Sequence, residues 1–214
     1  DLALRSCKFG ALLAMLFAIP LLLEMDYVLR LWLRNPPEYA ATLCQWMLLG
    51  LLAEKLTLGH MMAVNASGRI ASYKAVVGSL NVLSVPLAWY FLKTGWPPTG
   101  VGVALFIASV ASASGRVYFA HRLIGLPVWR WTKRVLLPCA VLGFGSAAAA
   151  FAPVHFLAPS PLRLLAAAAC GIGTLLLGGW LVGLDGPEKA FLLRQATKIL
   201  SRMCPRAHNG MDTI

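Results

Sequence analysis

Phe9-Gly10-Ala11-Leu12-Leu13-Ala14-Met15-Leu16-Phe17-Ala18-Ile19-Pro20-Leu21-Leu22-Leu23 is an apolar run without a single charge, and Tyr27, Val28, Leu29, Leu31, Trp32 and Leu33 carry it further. A helix rising 1.5 Å per residue needs about 20 apolar residues to cross a hydrocarbon core of roughly 30 Å. The stretch therefore predicts one spanning helix over about 9–33. Pro20 removes an intrahelical hydrogen bond and predicts a kink, which membrane helices tolerate where neighbours re-satisfy the freed carbonyl. Ile19-Pro20-Leu21 runs on into Glu24 with no small-residue cleavage site, so the run reads as a span and not as a cleavable leader. The first residue is Asp1 and not Met, which reads as part of a longer chain.

Outward from this run the pattern repeats. Asn35-Pro36-Pro37 stops the first helix, and further apolar segments follow over about 39–64, 73–92, 100–120, 135–152 and 162–184. Trp89 and Tyr90 close the third segment as interfacial aromatics do. Thr94-Gly95-Trp96-Pro97-Pro98 and the Pro153, Pro159, Pro161 region read as short turns, and Arg122 to Arg134 as a basic loop. The remainder, 185–214, reads as a basic tail with an interfacial amphipathic helix: Leu192, Ala196, Ile199, Leu200 and Met203 recur at helical spacing, with Arg194, Lys198 and Arg202 on another face. A tail that is only solvated and orienting fits the same residues.

The basic residues fall on alternate loops. One side collects Arg5, Lys8, Arg69, Lys74, Arg116, Arg122, Arg130, Lys133, Arg134, Lys189, Arg194, Lys198, Arg202 and Arg206; the other has Arg30, Arg34, Lys93 and Arg163. Lys and Arg resist translocation, so this bias predicts a multi-pass inner-membrane protein with both ends of the chain cytoplasmic.

Composition points the same way. At 59% hydrophobic and 13% charged residues in 214, with mean hydropathy +0.72, the chain has more apolar surface than a soluble domain of this length buries. The fold class expected is all-α: six transmembrane helices over 1–184, followed by the tail. The net charge of +11 sits at segment ends and not along one soluble face, which argues against nucleic acid. Cys7, Cys44, Cys139, Cys170 and Cys204 show no metal spacing and read as packing residues. No HExxH, GxSxG, P-loop or paired carboxylates are present, so no catalytic chemistry, cofactor or metal is expected.

Charges within a span are costly unless paired or facing a polar cavity, and the second segment holds Glu54, Lys55 and His60. We expect these to be the one strong intramembrane polar group. Adjacent helical residues point about 100° apart, so Glu54 and Lys55 need separate partners. Lys55 either faces a hydrated cavity or snorkels to the headgroups; His60 suits plain packing. Asn81, Ser84 and Pro86 would open the third helix and line a polar wall, or bond neighbouring helices. Arg69 and Arg116 fit interfacial anchors, with a cavity role open to Arg116. The last two spans carry Gly143, Ala147, Ala167, Gly171, Gly179 and Gly183 at spacings that let helices approach closely.

Several stretches carry a family resemblance. Tyr27-Val28-Leu29-Arg30-Leu31-Trp32-Leu33 with Pro36-Pro37-Glu38-Tyr39-Ala40 resembles the "iLxlWLgxxPxya" stretch of bacterial polysaccharide flippases of Wzx type, in the multidrug/oligosaccharidyl-lipid/polysaccharide exporter superfamily. Ala63 to Tyr73 is similar to that family's "AtGkikxY" turn, and Val85-Pro86-Leu87-Ala88-Trp89-Tyr90 with Lys93, Gly95 and Pro97 to its "lPlxyxxlkxGxxp" segment. Glu188-Lys189 resembles the closing "Erxxl" tail. The resemblance implies the last six spans of a twelve- to fourteen-span transporter that exports an undecaprenyl-pyrophosphate-linked oligosaccharide by alternating access. It implies membrane lipid, that oligosaccharide, a coupling cation and polysaccharide-assembly proteins as partners. The pyrophosphate calls for basic cavity residues. Lys55 is the first candidate, then Arg69 and Arg116, with Glu54 and His60 beside them. A cation-coupled drug exporter would want more carboxylates, and a non-transporting subunit or scaffold is the remaining alternative.

Overall fold

The computed structural model describes residues 2–68 and 70–183. Arg69 and the tail predicted over 185–214 lie outside the described residues. The chain is an all-α, multi-pass membrane protein. Among the described residues five helices are long and apolar enough to cross a membrane, and a bent helix pair gives up to six if it is counted as one broken span.

The first span is α1 (Leu2–Trp32). The second is α2 (Ala40–Lys55) followed by α3 (Leu58–Ala66), the two bent by 48°. The third is α4 (Ala71–Val82) with α5 (Ser84–Lys93), interrupted at Leu83 because Pro86 has no N–H for the Val82 carbonyl. The fourth is α6 (Thr99–Ile124), ended by Gly125 at φ +70°, a left-handed conformation that favours glycine. The fifth starts with α7 (Val128–Trp131), passes through a π-helical turn (Thr132–Leu136) and becomes α8 (Leu137–Phe156). The sixth is α9 (Pro161–Gly178) with a second π-helical turn (Gly179–Gly183). Helices cover each of the six predicted segments, but Arg5 and Lys8 sit within α1, and much of the basic loop at Arg122 to Arg134 is helical.

Register fixes the directions. A Cβ added at Gly10 of α1 would lie 3.2 Å from Leu58 Cδ2, and the Gln45 amide donates to the Leu22 carbonyl at 2.9 Å, so α1 and α2–α3 run antiparallel. Trp46 packs on Gly102, Gly50 on Ser109 and Glu54 lies level with Arg116, so α2 and α6 run parallel. Ser112 of α6 donates to Asn81 Oδ1 of α4 at 2.7 Å, while Tyr73 of α4 meets Phe119, so these two are antiparallel. Ser146 donates to the Gly171 carbonyl at 2.7 Å across an antiparallel α8–α9 pair. Each direction matches an up-and-down bundle.

Two helices organise the packing. Leu4, Cys7, Ala11, Met15 and Ile19 repeat at three- and four-residue spacing along α1 and meet Val135 and Cys139 of the fifth span and Leu175 of α9. On the other side of α2–α3, α6 anchors a second cluster of Val64, Tyr73, Val77 and Ala120. The broken second span lies between these two groups. The end of the bundle where Ala3 meets Gly59 and Trp131 meets His60 is called the basic end here.

Candidate functional site

The break in the second span falls at Leu56 and Thr57. The His60 N–H bonds to the Thr57 carbonyl at 3.1 Å, which leaves the Leu56 carbonyl outside the helical ladder. Trp131 supplies the missing donor, its indole Nε1 reaching Leu56 O at 3.0 Å. A second carbonyl, Glu54 O, accepts from the Thr57 N–H and hydroxyl at 3.1 Å each and from Arg116 Nη1 at 3.5 Å. Buried backbone groups need partners, and here α6 and α7 provide them.

Gly59 explains why the bend is placed here. A Cβ on it would collide with the Ala3 carbonyl of α1, so only glycine lets α3 lean onto α1. Cys7 completes the joint: its Sγ accepts from the Gly59 N–H at 3.2 Å and lies 3.3 Å from His60 Nδ1. His60, 1% exposed, also packs edge-on against Trp131 with ring centroids 5.5 Å apart. His60 and Cys7 here do what the packing role expected of them describes.

Glu54 and Lys55 separate as their helical angle requires. Glu54 turns to α6, where its Oε2 is 3.9 Å from Arg116 Nη2. The guanidinium is buried, the Tyr73 hydroxyl is beside it, and its Nε has no hydrogen-bond partner among the described residues. Lys55 turns to α1 instead and is half-buried in an apolar groove with Leu13, Phe17 and Leu51. The four predicted site residues that are described therefore do not converge on one cavity. Glu54 and Arg116 pair, His60 packs against Cys7 and Trp131, and Lys55 faces another helix; Arg69 is outside the described residues.

A cavity of about 270 Å³ opens at the break, lined by Ala53, Leu56, Thr57, Val110, Ala113 and Trp131, among others. Its walls are apolar apart from Thr57, Ser114 and the indole of Trp131. The arrangement can hold an apolar group at the helix break, with Val117, the neighbour of Arg116, in its wall.

The second span is not the one strong intramembrane polar site. Glu24 in α1 is 1% exposed and meets Arg163 of α9, Oε2 to Nη2 at 2.6 Å. Glu24 has non-helical backbone (φ −110°, ψ 19°), so the kink expected near Pro20 falls one turn later. Arg163, predicted to be an outer-loop charge, sits in the first turn of α9, whose N-cap Ser160 accepts from its N–H at 3.2 Å. The available signal was a carboxylate inside an apolar run. Lys8, 4% exposed within α1, is likewise interior and not a loop anchor. Asn81 and Ser112 bond two helices, and Ser84 donates to the Asn81 carbonyl at 2.6 Å at the α4–α5 interruption.

No protein-family model, curated protein or solved structure matches the chain.

Proposed function

We propose that this bundle flips an anionic, lipid-linked oligosaccharide across a bacterial inner membrane, with both chain ends cytoplasmic, as the carboxy-terminal half of a larger polysaccharide flippase. The observation that carries the reading is the broken second span with a buried arginine at its break. Transporters use discontinuous helices to hold a charged substrate group within the membrane, since unwound backbone there must line a cavity or be buried. A planar guanidinium suits a phosphate, and Glu54 at 3.9 Å is a loose partner that a more highly charged pyrophosphate can displace. The adjoining apolar cavity would take the first part of the lipid. The order of the family-like stretches supports the same class.

The cation-coupled reading draws less support. Glu24 and Glu54, the carboxylates that face helix neighbours, each already meet an arginine.

The test is flipping of a fluorescent lipid-linked oligosaccharide by the full-length protein in liposomes. Arg116→Gln should abolish it and Arg116→Lys retain part. Normal flipping by Arg116→Gln, with the protein folded, would sink the reading.

A further inference from the structure

A second groove, of about 360 Å³, lies on the opposite side of α2 between that helix and α1. Leu13, Phe17 and Leu21 form one wall, Leu48 and Leu51 the other, and Ala14 and Ala18 the floor. Lys55 stands at one end: a Cβ at Gly10 would be 3.8 Å from its carbonyl, whereas Leu21 and Leu48 mark the far end. From Gly10 to Leu21 the groove runs roughly 16 Å, close to half of a hydrocarbon core of about 30 Å. Its length is therefore about the depth of one leaflet, and its Lys55 end faces the basic end of the bundle.

The charge at its mouth is unmatched. Lys55 has no ion pair or hydrogen bond among the described residues, because Glu54 is turned to Arg116 on α6. Counting about 24 Å along the helix from Tyr39 leaves Lys55 within about 6 Å of the basic-end boundary, near enough for its stem to bring the ammonium to the phosphate level. An apolar slot one leaflet deep that ends in a lone cation has the shape and charge of a single lipid: a chain in the slot, a net negative headgroup on the ammonium.

We propose that this groove is a binding site for one anionic phospholipid of the cytoplasmic leaflet, with one acyl chain between α1 and α2 and its phosphate on Lys55. The slot is roughly 16 Å long, which fits an acyl chain and not the far longer undecaprenyl tail of the transport substrate. Retention of this lipid requires no transport, so it stands or falls separately from the flipping proposal. Lying one residue before the Leu56–Thr57 break, the bound lipid would brace α1 against the hinge of the second span.

Native mass spectrometry of the detergent-purified full-length protein tests this, with phosphatidylglycerol and phosphatidylcholine of identical acyl chains as probes. One phosphatidylglycerol should be retained with at least about tenfold preference. Lys55→Gln should remove the preference, Lys55→Arg keep it, and Lys93→Gln, a charge control at the other end of the bundle, leave it unchanged. Ala14→Trp should fill the slot and release both lipids. Leu51→Trp, at an exposed rim position that tolerates change, does the same should Ala14→Trp fail to fold. An undiminished preference in Lys55→Gln, an equal loss in Lys93→Gln, or full retention in the slot-filling variants would overturn the site. Displacement of phosphatidylglycerol by equimolar undecaprenyl phosphate would overturn the choice of occupant.

Discussion

Glu24 and Arg163 lie 139 positions apart and meet at 2.6 Å inside the bundle, tying the kink of the first span to the start of the last. The pair is incomplete on both sides: Glu24 Oε1 and Arg163 Nε are buried without a hydrogen-bond partner among the described residues. Removing either residue strands the other. Glu24→Ala should cost about 3–5 kcal/mol, whereas a combined Glu24→Leu, Arg163→Met replacement should cost much less. Reversible unfolding in detergent, run as a double-mutant cycle, reads the difference; additive single costs would contradict a coupled pair.

The close approach of α3 to α1 makes Gly59 sensitive to a single methyl group. Gly59→Ala collides with the Ala3 carbonyl, which belongs to backbone and cannot rotate away. We expect a loss of about 1–3 kcal/mol. Gly78→Ala is the comparison, because a Cβ there meets nothing within 4 Å. It should be neutral or stabilising by up to about 1 kcal/mol through helix propensity. Both are read from unfolding midpoints.

Trp131 caps a carbonyl that the helix break has released. Trp131→Phe keeps most of the ring packing on His60 but removes the donor, and should cost about 1 kcal/mol. Hydrogen exchange should rise locally, at the amides of residues 57–61, with the rest of the bundle unchanged. A uniform increase would show instead that the ring's packing matters more than its N–H.

Glu54 competes with any anion for Arg116. In the flipping assay, Glu54→Gln should lower KM for the lipid-linked substrate severalfold, since the guanidinium is then unopposed, and should lower kcat if release becomes slow. Arg116→Gln should raise KM and lower kcat together. Identical kinetics for Glu54→Gln and wild type would separate this pair from substrate binding.

The spans were legible because lipid imposes a simple rule: about 20 apolar residues per crossing, and basic residues at the ends. Phe9 to Leu33 needed nothing else. The angular separation of Glu54 from Lys55 was also legible from helix geometry, but not the neighbours, since which helix fills each side of α2 depends on packing over the whole bundle. The break at Leu56–Thr57 left little trace: Leu, Thr and Gly are common in membrane helices, and the bend comes from the Gly59–Ala3 approach and from donors in α6 and α7. Arg163 was misread because it borders a Pro-rich turn, and only its partner 139 positions away shows that it is interior.

That separation sets a schedule for synthesis. Glu24 is made 139 residues before its arginine, so at about 5–20 residues per second the carboxylate waits roughly 7–28 seconds for this counter-charge. Its own helix is meanwhile the surface on which the fifth and sixth spans later assemble. The first span must therefore remain beside a hydrated or protein-lined space, and not disperse into lipid, until the final hairpin arrives. An insertion machinery that shelters early helices suits this chain better than one that releases each as it is made.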